Sequence, residues 1–226
     1  MTMQVPQRNR LVWLSDSGWK QLLASQDKQW DTEAKSILQY WHTKQLPLVV
    51  CTQRQSHNPA TISMGLPAPE QWFRRKVALE VLPQAIERNG EFPSLKQVAL
   101  SYFAVPAMQN IVTTMQAIRV QIQVYGSFGW QFLTGLDYVR STSDLDLRVE
   151  VPDHATACKV ALALGSMQMP LRVDGELTFP NGGAIAWREY QQWVDGKVDC
   201  VLVKSRTSVQ LLDPAVLQHG EVPCIN

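Results

Sequence analysis

Tyr125-Gly126-Ser127 and, further along, Ser143-Asp144-Leu145-Asp146-Leu147-Arg148-Val149-Glu150-Val151 decide how this chain is read. From Asp144 to Val151 the residues alternate without a break. Asp144, Asp146, Arg148 and Glu150 fall on one face, and Leu145, Leu147, Val149 and Val151 on the other. Period two with leucine and valine on the apolar side predicts a half-buried strand. Residues i and i+2 of a strand share a face, so both aspartates point into one small volume. Ionised carboxylates about 4 Å apart repel by about 4 kcal/mol at an effective dielectric near 20. Either one takes up a proton or a cation sits between them. Mg2+ suits an oxygen-only site that also receives phosphates. Taken alone, D-x-D is also the spacing of a solvated strand face, which arises often by chance.

The upstream stretch shifts that balance. Val120, Ile122 and Val124 alternate with Arg119, Gln121 and Gln123, which predicts a strand ending at Tyr125-Gly126-Ser127. Phe128 to Leu133 follow as one or two helical turns. A strand, a Gly-Ser turn and a helix start present backbone N–H groups to an anion, aided by the helix dipole. Gly126 permits close backbone approach, and the Ser127 hydroxyl can donate to a phosphate oxygen. Ser127 is equally suited to cap the helix, a role compatible with holding phosphate.

Strand, Gly-Ser, helix and a D-x-D strand together resemble the nucleotidyltransferase superfamily with a polymerase-β-like palm. The spacer from Ser127 to Asp144 is longer than is usual there. Its Leu133-Thr134-Gly135-Leu136 and Tyr138, read with Trp130-Gln131, resemble one branch, the malonate decarboxylase holo-[acyl-carrier-protein] synthases, which are phosphoribosyl-dephospho-CoA transferases. Arg10 to Leu14, Leu46 to Val50, Gly65 to Pro69 with Arg74-Arg75, Gly183 to Tyr190 and Val201 to Lys204 extend the resemblance over nearly the whole chain.

The resemblance implies an enzyme that moves the prosthetic group of triphosphoribosyl-dephospho-CoA onto a serine of the malonate decarboxylase acyl carrier protein, releasing pyrophosphate. Gly126, Ser127 and Lys204 would hold phosphates. Asp144 and Asp146 would bind Mg2+. A third carboxylate on a neighbouring strand is expected, with Asp174 preferred, Glu176 second and Asp199 the rival. Arg74 and Arg75 are further phosphate candidates or simply solvated. A basic surface near Arg140, Lys204 and Arg206 could guide an acidic carrier. Two other readings stand beside this one: a transferase that adenylates a small-molecule hydroxyl, and an inactive palm that serves as a binding module.

Composition sets the outer bounds. A chain of 226 residues, 45% apolar and 18% charged, fits one or two globular domains with a sizeable core. Its net charge of +1 gives no bulk case for nucleic-acid binding. No apolar stretch follows the basic amino-terminal residues and none is long enough to span a membrane, so the expectation is a cytoplasmic protein. Cys51, Cys158, Cys200 and Cys224 show no metal-type spacing and predict buried free thiols. The four histidines likewise lack ligand spacing. Tryptophans 13, 19, 30 and 41 are read as core packing.

The expected class is α/β (α+β), with a smaller mixed amino-terminal domain over residues 1–85 and a palm over 86–226. Helices are expected over Asp16–Lys28 and Thr32–Thr43, then from Glu70 (carrying Trp72, Phe73, Val77, Leu79 and Val81), and over Ser94–Tyr102, Pro106–Ala117 and His154–Gly165. Strands are expected at Leu46–Cys51, Thr61–Met64, Leu171–Phe179, Ala184–Tyr190 and Lys197–Lys204.

Overall fold

Alternating buried and half-buried side chains build two sheets in two compact units, residues 1–91 and 92–226. The structure is a computed structural model and describes residues 6–25, 30–53, 60–102, 106–169 and 171–219. The first unit extends past residue 85 because Ile86–Gly90 pairs with Leu11–Leu14 as an outer strand.

In the first unit β1 (Leu11–Leu14), β2 (Leu48–Val50), β3 (Ile62–Pro67), β4 (Lys76–Val81) and β5 (Ile86–Gly90) form a sheet in the order β4-β3-β2-β1-β5. Every neighbouring pair is antiparallel. Two helices, α1 (Asp16–Ser25) and α2 (Thr32–Thr43), accompany it. Residues 26–28, expected to continue α1, lie outside the described residues. Asp31 caps α2, accepting from the Ala34 N–H at 2.9 Å. Trp19, Ile37, Leu38 and Trp41 are wholly buried, so these two tryptophans are core residues as expected.

No helix runs on from Glu70. Glu70–Trp72 is a single 3-10 turn, Phe73 and Arg74 take left-handed backbone, and Lys76–Val81 is β4. Val77, Leu79 and Val81 are buried while Lys76, Ala78 and Glu80 are more exposed, a period of two that the helix reading overrode.

The second unit begins with α3 (Leu95–Tyr102) and α4 (Pro106–Ile118), followed by β6 (Gln121–Val124), α5 (Gly126–Thr134), β7 (Leu145–Glu150) and α6 (His154–Ser166). Then come β8 (Val173–Thr178), β9 (Ala184–Ala186), α7 (Trp187–Val194), β10 (Val201–Lys204) and β11 (Val209–Leu212). Its sheet has the order β11-β10-β9-β8-β7-β6. β6 and β7 are antiparallel, whereas β7 and β8 are parallel with α6 as the crossover. Asp153 caps α6 by accepting from the Thr156 N–H at 2.7 Å. Helices with two sheets make an α+β chain, the expected class.

Ala184–Tyr190 is not one strand. β9 stops at Ala186, and Trp187 and Tyr190, one helical turn apart, are buried along α7. The strand expected from Lys197 begins at Val201, which leaves Cys200 exposed in the preceding segment, not buried. Cys51 and Cys158 are partly buried free thiols, and Cys224 lies outside the described residues.

The parallel pair is held very close at Gly175, whose φ is +140°. A Cβ there would fall on the Leu147 carbonyl, 2.7 Å from its carbon. Gly175→Ala is therefore expected to lower unfolding stability by about 3 kcal/mol or more, read by denaturant titration.

His154 is buried at the start of α6, with Nδ1 2.8 Å from the Tyr190 hydroxyl. Burial pushes its pKa below the ordinary imidazole value, opposed more weakly by a hydrogen bond to the Pro214 backbone and then by the charges of Asp153 and Asp213. The folded state thus holds fewer protons than the unfolded chain once pH drops below about 6.5. Stability due to this residue is present above that pH and is lost as pH falls. His154→Gln should show a shallower loss of thermal midpoint than wild type between pH 7 and 5.

Candidate active site

β6 runs into Tyr125, which is the N-cap of α5 and whose N–H donates to the Asp146 carbonyl at 3.0 Å. Because Tyr125 holds that position and no side chain caps it, Ser127 is not the cap. Ser127 lies in the first turn, among the N–H groups that an α-helix leaves unbonded. Gly126 has φ +61°, and a Cβ on it would collide with the Asp146 carboxylate, 2.7 Å from Cγ. Only glycine lets this carboxylate lie against the helix start, where the dipole favours negative charge.

The long spacer is tied down at several points. Gly135 closes α5 in left-handed backbone. The Gln131 side-chain carbonyl accepts from the N–H groups of Tyr138 and Val139 at 3.0 and 2.8 Å. The Thr134 hydroxyl bonds to the Trp130 carbonyl at 2.7 Å, and the Trp130 and Tyr138 rings stack at 6.3 Å. Ser143 and Arg140 then exchange hydrogen bonds of 2.9 and 3.0 Å just before Asp144.

β8 settles which acidic residues adjoin the pair. Asp146 is in register with Asp174, and Arg148 with Glu176. The Arg172 guanidinium lies 3.6 Å from Asp144 and 3.8 Å from Asp174, spanning the two carboxylates. Burial, then the charges of Asp174, Asp144 and Glu176, push the Asp146 carboxyl up to about 6, with Arg172 opposing. Asp174 accepts from the Gly175 N–H at 2.8 Å. Asp199 is exposed in a bend before β10, with β8 and β9 between it and β7.

Glu176 is 6% exposed, and Lys204 reaches it at 3.3 Å. The structure therefore sets Gly126 against Asp146, Asp146 beside Asp174 and Arg172 between Asp144 and Asp174, with Ser127 next along the first turn of α5 and Lys204 held on Glu176. In the first unit, Arg75 pairs with Asp31 and Glu33 at 2.9 and 2.8 Å, and Arg74 with Glu70 at 2.6 Å. Neither arginine is a bare cation awaiting phosphate. Sequence reasoning missed Arg172 and Gln131. Arg172 alternates with Asp174 and Glu176, so its place on their face was visible; nothing local marks Gln131 as the tether.

Among the described residues no three His, Cys, Asp or Glu side chains already converge as a metal cage. Magnesium does not require one, because it commonly takes one or two carboxylates and completes its shell with water and substrate phosphate. Oxygen-only donors, a carboxyl pushed upward by burial and then by its neighbours' charge, and a guanidinium drawn between two of them fit a hard dication.

Two family models match the chain. The phosphoribosyl-dephospho-CoA transferase MdcG N-terminal domain covers residues 7–92 and the MdcG C-terminal domain residues 94–215. A phosphoribosyl-dephospho-CoA transferase of Xanthomonas axonopodis pv. citri (strain 306) is 34% identical over 215 residues, 93% of this chain and 95% of that relative. One from Bradyrhizobium diazoefficiens is 33% identical over 213 residues, 92% and 90% of the two chains. No solved structure matches. No helix among the described residues is long and apolar enough to cross a membrane. With both domain models matched in order and a third of the residues shared along nearly its full length, this chain belongs to the MdcG family of phosphoribosyl-dephospho-CoA transferases.

Proposed function

We propose that this protein transfers the phosphoribosyl-dephospho-CoA group from its triphosphate precursor to a serine of the malonate decarboxylase acyl carrier protein, with loss of pyrophosphate. The second unit is read as a nucleotidyltransferase palm. The observation that carries the reading is the apposition of the Gly126 turn, at the start of α5, to Asp146, which is itself in register with Asp174.

The α5 N–H groups and the Ser127 hydroxyl bind the departing phosphates through hydrogen bonds to their oxygens. Asp174 accepts the proton of the incoming serine hydroxyl, whose oxygen forms the new bond to the α-phosphorus as the bond to the β-phosphate oxygen breaks. Lys204, oriented by Glu176, adds positive charge toward the polyphosphate. Asp144 and Asp146 are the residues that would hold Mg2+, which when bound neutralises phosphate charge and aligns the attacking and leaving oxygens. Arg172 lies 3.6 Å from Asp144 and 3.8 Å from Asp174, and would give up that position to a bound cation.

The test combines the purified protein with apo carrier protein, triphosphoribosyl-dephospho-CoA and Mg2+ and weighs the carrier by mass spectrometry. The expected result is a mass gain of one phosphoribosyl-dephospho-CoA unit together with released pyrophosphate. An unmodified carrier, with ATP-dependent adenylation of a small-molecule hydroxyl instead, overturns it.

A further inference from the structure

Beside β6, within the second unit, lies a cavity of about 320 Å3 between the start of α3, the last turns of α4 and the strand itself. It reaches the lower end of the range of small-molecule sites. One part of its lining is aliphatic, with Val112, Met115 and Ile122; another is amide, with Gln116, Gln121 and Gln123. Lys96 is the one charged side chain among the lining residues, and no carboxylate lines it.

Gln123 is 8% exposed, and its Oε1 is a buried acceptor with no hydrogen-bond partner. That oxygen is sealed from solvent, so a ligand's donor would reach it only as the Gln123 side chain turns into the cavity, a move that recovers the about 1–3 kcal/mol an unpaired buried amide oxygen costs. Gln116 and Gln121 are exposed at the same cavity and offer both donors and acceptors.

Aliphatic walls, repeated amides and a lone cation describe a ligand of matching build: an aliphatic chain carrying amide groups, attached to an anion. Pantetheine on a diphosphate is such a chain. We infer that this cavity holds the pantetheine arm of the dephospho-CoA portion of the precursor. The inference rests on the transferase reading, since it takes the precursor to be a dephospho-CoA derivative. Strand direction supports it, because β6 carries the lining residues Gln121 and Gln123 and leads straight into the Gly126 turn. From Gln123 to Gly126 is about 10 Å at ~3.3 Å per residue. A ligand seated beside β6 therefore points along the strand toward the phosphate-holding turn, and one compact cavity serves the arm while the reacting phosphates remain at α5.

Calorimetry on the full chain tests this without carrier protein or turnover. Dephospho-CoA and ADP share the adenosine and diphosphate and differ in the pantetheine arm. Wild type should hold dephospho-CoA at least about tenfold tighter than ADP. Gln116→Trp puts an indole into the cavity from an exposed helix position and should cut that advantage to under about twofold. Gln109→Trp, exposed on α4 outside the cavity, controls for surface change and should keep it. An advantage that is absent in wild type, or that survives in Gln116→Trp, overturns the inference. If the advantage behaves as expected but no group reaches the carrier, the assignment of the acceptor is what fails, and the arm site stands.

Discussion

Replacing Gly126 by alanine is expected to reduce transfer by about 100-fold or more while the protein still folds. Two effects act together. The left-handed φ of +61° disfavours any Cβ by about 1–2 kcal/mol, and this Cβ would occupy space held by the Asp146 carboxylate. The collision can be relieved by swinging Asp146 away or by moving the first turn of α5. Either response separates the phosphate-binding N–H groups from the carboxylate they must act beside. Rate and thermal midpoint should be measured together: a large fall in kcat with a modest fall in midpoint is the expected pair. Wild-type turnover in Gly126→Ala would show that the apposition of turn and carboxylate is not the reacting centre.

Asp146→Asn is expected to lower kcat by about 1000-fold and to leave stability unchanged or raise it. The side chain keeps its shape and loses its charge. In the resting protein that charge is unfavourable, since burial and then Asp174, Asp144 and Glu176 push its pKa up to about 6. A neutral amide removes the repulsion, as it would at any site where carboxylates are crowded for a purpose other than folding. Asp144→Asn, less buried and already close to Arg172, should also abolish transfer, with a smaller change in stability. If D-x-D were only a solvated strand face, both variants would retain full activity, and thermal melts alone would not separate the two cases. Added Mg2+ should raise the midpoint of wild type more than that of either variant.

Much of this site was legible because its geometry is local. Alternation from Asp144 to Val151 places Asp144 and Asp146 together whatever the rest of the chain does, and Gly126 announces a turn that a side chain would obstruct. Asp174 could be preferred over Asp199 by pattern, but only strand order shows which of them adjoins the pair: β8 lies beside β7, and Asp199 never enters a strand. Arg172 belongs to the same alternation as Asp174, yet its position between two carboxylates depends on pairing across strands. The failures share one cause. At Glu70–Val81 and at Ala184–Tyr190 short apolar runs fit both periods, and partners distant in sequence choose between them. Val77, Leu79 and Val81 become a strand because β3 is there to pair with them. Trp187 becomes helical because β9 has run out after Ala186.

The Gln131 tether has a bearing on how this chain tolerates change in length. By gripping the N–H groups of Tyr138 and Val139, it closes the intervening loop at its base, so the separation of Ser127 from Asp144 no longer depends on how many residues lie between the grip points. Loop-closure entropy grows slowly, with each doubling of length adding about 0.6 kcal/mol. Extra residues at Leu136-Asp137 would hang outside the tether as slack, so the chain can be lengthened there without altering the distance that the chemistry needs.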